Sequence, residues 1–306
     1  MLLPRKAGFA VPLAVACSLA QSAHAARVPA PASPRATPSY YVQTIDPRAL
    51  RERGCSAGER RASGIVILDF GRPGWNGHSY GTLTFGGRFA TNPAITRALE
   101  AFAHGYVHCL PRGSHARIVL ARGTSNYPPH VPSGYLAGRK WARETVAFAR
   151  FLRRAGLGAH VRSAAADDAE PAWDPAFTRT YDFFRGYRAY RPGYALFNYG
   201  SLDGGVGGIW NARQLWYVNG GMRYARPIPE IYYPAMAAQW GELSRIAAER
   251  YGRALPFAGL MTQHKAGCGR CGYRPREAHR ALLRAVPRYL RSRLARLPAL
   301  TNIRAL

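Results

Sequence analysis

Short apolar runs alternate with longer amphipathic segments along most of the chain. Continuous apolar runs that end in polar residues or glycine predict strands or extended pieces at 65–68, 117–121, 160–165, 194–199, 215–218, 227–233 and 256–261. Apolar residues at helical spacing predict helices at 92–102, 135–155, 175–187, 236–251 and 278–294. The pattern therefore predicts strands separated by helices.

This alternation predicts the fold class. Strands that are apolar throughout and alternate with helices are typical of a parallel sheet covered on both faces. About seven or eight such units in roughly 240 residues favour a closed (β/α)8 barrel, a TIM-like fold that can be irregular. An open doubly wound parallel sheet is the alternative. The turn after 65–68 lacks a G-x-G-x-x-G motif, so a dinucleotide site has no support.

The first residues have the features of a secretory signal. Arg5 and Lys6 precede an apolar run at 7–20 that is too short to span a bilayer, and Ala23-His24-Ala25 has the small-x-small pattern of a cleavage site. We expect a signal peptide at 1–25 and a secreted protein, extracellular or periplasmic. The alternative is a lipoprotein anchored at Cys17.

The rest of the chain divides by composition. Residues 26–42 are rich in proline and alanine, which predicts an extended linker. Residues 43–306 are expected to form a single barrel domain. After the leader, no run is long and apolar enough to predict a transmembrane segment.

Four cysteines follow the leader. An even number in an exported chain favours disulfides, and their positions relative to the predicted strands favour the pairs Cys55–Cys109 and Cys268–Cys271. A zinc site that uses Cys268 and Cys271 would need the other two cysteines, whose spacing matches no known zinc site. Two structural disulfides are the preferred interpretation.

The charge of the chain is strongly positive. Lys and Arg number 43 against 16 Asp and Glu, a net charge of +27. Such a surface attracts polyanions, which include nucleic acids, acidic cell-wall polymers and anionic lipids. The export signal and the lack of a nucleic-acid-binding module argue against nucleic acid. An acidic polymer outside the cell is the expected partner.

The few acidic residues are concentrated at the ends of predicted strands, above all in the segment 159–174. Polar residues that follow these strands are Asp69, Asn126, Asp168, Glu170, Asp203, Glu230, Tyr232 and Gln263. In a barrel the carboxyl ends of all strands meet at one face, which carries the active site. Paired carboxyl groups there are suited to acid–base chemistry. The alternative is an exposed acidic loop with a helix cap.

Aromatic residues occur on the same segments. Sugar rings present apolar faces that stack on such side chains. Most of these aromatic residues are expected in the core, and Trp75 and Trp173 are predicted to be surface platforms that bind substrate.

The segments ILDFG, GTSNY, AADDAEPAW, NYGSLDG, PIPEIY, AAQW and FAGLMTQH resemble a family of uncharacterised exported bacterial glycoside-hydrolase-like TIM barrels, over about residues 64 to 290. Asp69 followed by Asp168-Ala169-Glu170 also resembles the D…D-x-E arrangement of muramidase (lysozyme-type) barrels. This chain departs from that pattern, because Phe70 and Gly71 follow Asp69.

The resemblance implies hydrolysis of a β-linked amino sugar in cell-wall polysaccharide of the peptidoglycan type. Glu170 would protonate the leaving oxygen, and Asp168 or Asp69 would stabilise the transition state or orient the acetamido group. Asn126, Asp203, Glu230, Tyr232 and Gln263 would bind substrate, and no metal or cofactor is implied. A non-catalytic carbohydrate-binding barrel is the alternative, so whether the chain is an enzyme stays open at this point.

Overall fold

A computed structural model describes residues 36–128, 130–264, 272–294 and 299–306. Its strands in chain order are β1 (Ala36–Tyr41), β2 (Gly64–Asp69), β3 (Arg72–Trp75), β4 (Tyr80–Leu83), β5 (Phe89–Thr91), β6 (Ile118–Ser125), β7 (Val161–Asp168), β8 (Leu196–Asn198), β9 (Ala225–Pro227), β10 (Leu260–Thr262) and β11 (Leu300–Ala305). Eight of them form one parallel sheet in the order β10-β11-β1-β2-β6-β7-β8-β9, and β3, β4 and β5 form a small antiparallel sheet. The predicted TIM-like (β/α)8 fold is confirmed.

The sheet is nearly closed. Strands β9 and β10 form no regular ladder, but Glu230 and Met261 form a parallel bridge beyond the end of β9. The Met261 amide donates to the Pro229 carbonyl at 2.8 Å, and the Ile231 amide donates to the Met261 carbonyl at 3.0 Å. These bonds join the two edges of the sheet, so the carboxyl ends of all eight strands surround one opening.

Helices cover the outside of the barrel. They are α1 (Pro47–Glu59), α2 (Asn92–His108), α3 (Gly134–Arg154), α4 (Thr178–Tyr190), α5 (Ala212–Trp216), α6 (Pro234–Tyr251), α7 (Pro275–Ala285) and α8 (Arg288–Leu294). Side chains cap several of them: Thr91 accepts the Ala94 amide before α2, and Ser133 accepts the Leu136 amide before α3. Gly252 ends α6 in the left-handed conformation, with φ of 63°. None of the helices described in these ranges is long and apolar enough to cross a membrane.

Neighbouring helices approach each other closely, and the α1–α2 pair is also joined covalently. Cys55 and Cys109 form a disulfide with a Cα–Cα distance of 4.9 Å, which confirms this predicted pair. In the α3–α4 pair, a Cβ atom added at Gly138 would lie 2.0 Å from the Phe183 carbonyl oxygen. Glycine is required there because any side chain would push the two helix backbones apart.

The inside of the barrel is filled by alternate residues of the strands. Ile65, Ile67, Ala164, Ala166 and Phe197 belong to this inner core. Alternation along β2 and β7 places Asp69 and Asp168 on the same inward face, one layer further toward the carboxyl ends. The two acidic residues therefore lie beyond the apolar side chains that β2 and β7 contribute to the barrel interior.

Two strands of the barrel sheet lie where none was predicted. Strand β1 occupies the end of the segment predicted as a linker, and β11 follows the predicted last helix. In β1 the polar side chains are paired inside the sheet: the Ser39 hydroxyl hydrogen-bonds to Thr301 at 2.7 Å and accepts the Ile67 amide at 2.8 Å. The neighbouring strands thus supply hydrogen bonds to polar groups in a segment whose composition is typical of a linker.

Two other predictions are wrong in part. The strand predicted at 215–218 is helical, because Asn211 and Gln214 form a reciprocal capping box that starts α5. The single helix predicted at 278–294 is interrupted at Val286, which is extended, with φ of −74° and ψ of 152°, before Pro287. The predicted leader at 1–25, Cys17, and the pair Cys268–Cys271 lie outside the described residues.

Candidate functional site

A cavity of about 590 Å³ opens at the carboxyl ends of the barrel strands. Residues at or just after the ends of five strands border it, namely Tyr41, Arg72, Ser125, Asp168 and Gln263. Glu170 and Glu230, from the loops that follow β7 and β9, border it as well. The chain therefore brings three carboxyl groups, separated by as many as 62 positions, to one cavity at the face that carries active sites in TIM barrels.

Asp168 is one of the two carboxyls of this set that are almost fully buried. It is the last residue of β7, pairs in register with Ser125 and is 4% exposed. Its Oδ1 atom is buried and accepts no hydrogen bond from the described residues. Burial raises the pKa of Asp168 well above its ordinary value, and the charges of Glu170, Glu230 and Asp69 raise that pKa further. These surroundings therefore favour the neutral, protonated form of Asp168.

Glu170 is fixed through its backbone. The Asn126 side chain accepts the Glu170 amide proton and donates to the Glu170 carbonyl, both at 2.9 Å. The Ser201 amide donates to Oε1 of Glu170 at 3.4 Å. Burial and the nearby charge of Asp203 raise the pKa of Glu170 to about 7, although the hydrogen bonds from Ser201 act to lower it. A carboxyl with this pKa can give up a proton near neutral pH.

Glu230 is held by side-chain donors. The Tyr232 hydroxyl donates to Oε1 of Glu230, and the Gln263 side-chain amide donates to the same oxygen at 3.5 Å. That amide also donates to the Tyr41 hydroxyl. Burial and the charge of Glu170 raise the pKa of Glu230 well above its ordinary value, and the two hydrogen bonds act in the opposite direction. Of the three carboxyls, only Glu230 accepts hydrogen bonds from two side chains.

The three carboxyls titrate as a group. Glu170 and Glu230 raise the pKa of Asp168, and Glu170 also raises the pKa of Glu230, because negative charges in a shared low-dielectric site repel each other. The protons of such a set belong to the group rather than to one residue. This repulsion favours states in which some of the carboxyls are protonated and others are ionised, which is the arrangement that general acid–base chemistry needs.

Asp69 is placed differently from its predicted role. It is fully buried, does not border the cavity, and accepts the Gly71 amide at 2.9 Å. Burial raises the pKa of Asp69 to about 7, while hydrogen bonds from Gly71 and the Tyr199 hydroxyl lower it. Its charge raises the pKa of Asp168. In this structure Asp69 reaches the cavity only through its electrostatic field.

The predicted substrate-binding residues divide into two groups. Trp173, Glu230, Tyr232 and Gln263 border the cavity. Asn126, Asp203 and Trp75 do not border it. The Asn126 side chain hydrogen-bonds to the Glu170 backbone, and Asp203 accepts the Ala172 amide at 2.8 Å. Trp75 packs against Tyr80 with ring centroids 4.8 Å apart. Trp75 is half-buried against the core and does not border the cavity, and its role as a substrate-binding platform stays a prediction.

Several residues of the cavity wall were not among the predicted site residues. Phe85, in the turn between β4 and β5, and Tyr127, just after β6, are each 48% exposed and border the cavity. Tyr41 packs edge-on against Phe85, and Tyr127 packs edge-on against Trp173. The β3–β5 sheet thus supplies one wall of the cavity. In the sequence, Tyr127 could have been found because it follows a predicted strand, and Phe85 because it precedes two glycines in a predicted loop.

One group of possible metal ligands occurs in the described part of the chain, and it lies away from the cavity. Cys55, Glu59 and Cys109 have ligand atoms within 4.8 Å of one another. Both cysteines are in the disulfide, so their sulfur atoms are not thiolate ligands. This group is a structural link between α1 and α2.

No protein-family model matches the chain, and no curated protein matches its sequence. Among solved structures it is distantly similar to one described as a family 39 glycoside hydrolase from the gut symbiont Bacteroides cellulosilyticus WH2, with a TM-score of 0.42 and 11% sequence identity. The match covers 88% of this chain and 56% of that chain, so this chain spans about half the length of the structure it matches.

Proposed function

We propose that this chain is an exported glycoside hydrolase that cleaves a cell-wall polysaccharide of the peptidoglycan type. The observation that carries the proposal is the set of three carboxyls, Asp168, Glu170 and Glu230, around one cavity at the carboxyl face of the barrel. Cleavage of a glycosidic bond needs one carboxyl that donates a proton and a second, ionised carboxylate that stabilises or attacks the anomeric carbon.

The surroundings of each carboxyl support a role. Glu170 is the general acid, because its pKa of about 7 keeps it protonated in mildly acidic solution and it borders the cavity. Glu230 is assigned the role of the carboxylate, because hydrogen bonds from Tyr232 and Gln263 favour its ionised form and oppose the burial that raises its pKa. Asp168 is assigned the role of the neutral carboxyl, because its buried Oδ1 accepts no hydrogen bond from the described residues that would stabilise the ionised form.

The walls of the cavity are suited to a sugar. Phe85, Tyr127 and Trp173 offer aromatic surface beside the carboxyls, and such surfaces pack against the apolar faces of sugar rings. Tyr232 and Gln263 offer polar groups that can bind hydroxyls. The combination of aromatic and carboxylate groups in one cavity favours carbohydrate over an extended polyanion as the occupant.

Three variants and one control test the proposal. Glu170→Gln and Glu230→Gln remove a catalytic carboxyl with little change of shape, Asp168→Asn removes the third, and Glu242→Gln makes the same change at an exposed position of α6. We expect release of reducing ends from purified peptidoglycan to fall about 10²–10⁴-fold in the first two variants and to stay unchanged in the control. Wild-type rates in Glu170→Gln and Glu230→Gln, with melting temperatures preserved, contradict the assigned roles.

The pH dependence gives an independent test. The rate requires protonated Glu170, so it should decrease as the pH rises through about 7, the pKa of that carboxyl. In the Glu170→Gln variant the residual rate should lose this alkaline limb.

A second function is favoured by one observation. Oδ1 of Asp168 accepts no hydrogen bond from the described residues, and the pKa values of all three carboxyls are raised, so a cavity in which all three are protonated would bind sugar without a base to cleave it. A non-catalytic wall-binding barrel predicts saturable binding of soluble wall fragments and no new reducing ends after prolonged incubation. The same two measurements on one preparation separate the enzyme from the binding protein.

A further inference from the structure

Arg72 places a positive charge at the border of a cavity that otherwise contains acidic groups. It is the first residue of β3, directly after the barrel strand that ends in Asp69, and it is half-buried. The same cavity is bordered by Asp168, Glu170 and Glu230. A guanidinium group supplies a fixed positive charge with several N–H donors.

The structure holds the Arg72 guanidinium in place. One Nη1–H donates to the Pro128 carbonyl at 3.2 Å, and the guanidinium carbon lies 5.2 Å from the centre of the Tyr127 ring. Tyr127 in turn packs edge-on against Trp173, with ring centroids 5.6 Å apart. A guanidinium has five N–H donors, so the bond to Pro128 leaves most of them available.

No carboxylate neutralises this charge. In the part of the chain that the structure describes, no carboxylate oxygen lies within 4.0 Å of the Arg72 nitrogens, although three acidic residues border the same cavity. Other arginines do pair: Arg143 with Glu144 at 2.9 Å, and Arg185 with Asp182 at 3.0 Å. The Arg72 guanidinium is therefore fixed beside the cavity with its donors unused by acidic side chains.

The geometry points to Arg72 as the binding site for a carboxylate on the sugar substrate, so that the substrate class is an acidic saccharide. This inference rests on the proposed function, because it assigns a substrate to the same cavity. A planar guanidinium binds a carboxylate through two parallel hydrogen bonds, and Trp173 and Tyr127 supply aromatic surface beside it.

The acidic surroundings make this charge necessary. An anionic sugar that approaches three carboxyls is repelled to the extent that they are ionised, and one fixed cation near the sugar offsets that repulsion. The sugar carboxylate can be the free lactyl carboxylate of a muramic residue that carries no peptide, or the C6 carboxylate of a uronic acid. Both present the same planar anion, and the following experiment distinguishes them.

The experiment measures binding by titration calorimetry at neutral pH and physiological salt. Three disaccharides are compared: chitobiose, which is neutral; N-acetylglucosaminyl-N-acetylmuramic acid, which carries the lactyl carboxylate; and N-acetylglucosaminyl-glucuronic acid, which carries the C6 carboxylate. The proteins are wild type, Arg72→Gln, and Arg53→Gln as a control that removes the same charge from an exposed position of α1.

We expect wild type and Arg53→Gln to bind one of the acidic disaccharides at least about ten-fold more tightly than chitobiose, as hydrogen bonds to a charged group produce. Arg72→Gln should lose this preference and keep its affinity for chitobiose, which also shows that its cavity is intact. The acidic disaccharide that shows the loss identifies the carboxylate. Equal affinities in wild type, or an unchanged preference in Arg72→Gln, overturn the inference. Turnover is not measured, so a protein that binds without cleaving still tests it.

Discussion

Replacement of Asp69 by Asn tests the electrostatics of the barrel interior. Asp69 is fully buried, and its pKa rises from the ordinary value of 3.8 to about 7, mainly because burial penalises the charged form. The unfolded chain loses this proton near its ordinary pKa, whereas the folded chain keeps it up to about 7. Between those two pKa values the folded state binds more protons, so the stability of the wild type falls as the pH rises.

The size of this effect follows from the pKa difference. One pKa unit corresponds to about 1.4 kcal/mol, so Asp69 should lower the free energy of unfolding by about 3 kcal/mol between about pH 5 and about pH 8. Asp69→Asn removes that loss and leaves an oxygen that can accept the Gly71 amide. In the wild type the Asp69 charge also raises the pKa values of Asp167 and Asp168. The variant therefore also reduces the stability that these two residues cost at high pH.

The assay is urea denaturation of wild type and Asp69→Asn at both pH values with the Cys55–Cys109 disulfide intact. The difference in unfolding free energy between variant and wild type should shift by about 3 kcal/mol in favour of the variant at the higher pH. Asp182→Asn, a partly exposed carboxyl that pairs with Arg185, is the control and should shift by less than about 0.5 kcal/mol. A difference for Asp69→Asn that does not depend on pH refutes the reasoning.

Two further predictions concern the supports of the site. Asn126→Ala removes both hydrogen bonds that fix the Glu170 backbone. It should lower the free energy of unfolding by about 1–3 kcal/mol, measured by urea denaturation, and should also lower the rate of sugar cleavage by the protein that stays folded. Full activity of the variant contradicts the role of Asn126 in positioning Glu170. Gly138→Ala places a Cβ atom 2.0 Å from the Phe183 carbonyl oxygen and should destabilise the fold by more than about 2 kcal/mol, whereas Gly158→Ala, whose nearest neighbour is 4.0 Å away, should be nearly neutral by the same denaturation assay.

The candidate site was predictable to the extent that it depends on strand ends. Asp168, Glu230 and Gln263 each lie at or just beyond the end of a barrel strand, and the barrel brings those ends together. Asp69 also ends a barrel strand, but it is buried and does not border the cavity, and its catalytic role stays a prediction. Trp75 does not border the cavity either, because it belongs to the β3–β4 hairpin and packs there against Tyr80.

Other parts of the cavity could not be read from local patterns. Tyr41 lies in β1, a strand whose proline, serine and threonine residues are typical of a linker until β2 and β11 satisfy them. Arg72 and Phe85 belong to an insertion of glycine-rich hairpins, where short strands carry little periodic signal. Their place at the cavity depends on how that small sheet folds over the mouth of the barrel.

The sequence by itself determined the alternation of buried strands and amphipathic helices, the barrel class and the chain positions of its acidic strand ends. These features depend on hydrophobic periodicity, which is set by residues that are close to each other in the chain. Only the tertiary structure decided which acids face one cavity, which lie beneath it and which arginine is left unpaired beside them. Those outcomes depend on distances between residues remote in the chain, and burial then converts such distances into pKa values and hydrogen bonds.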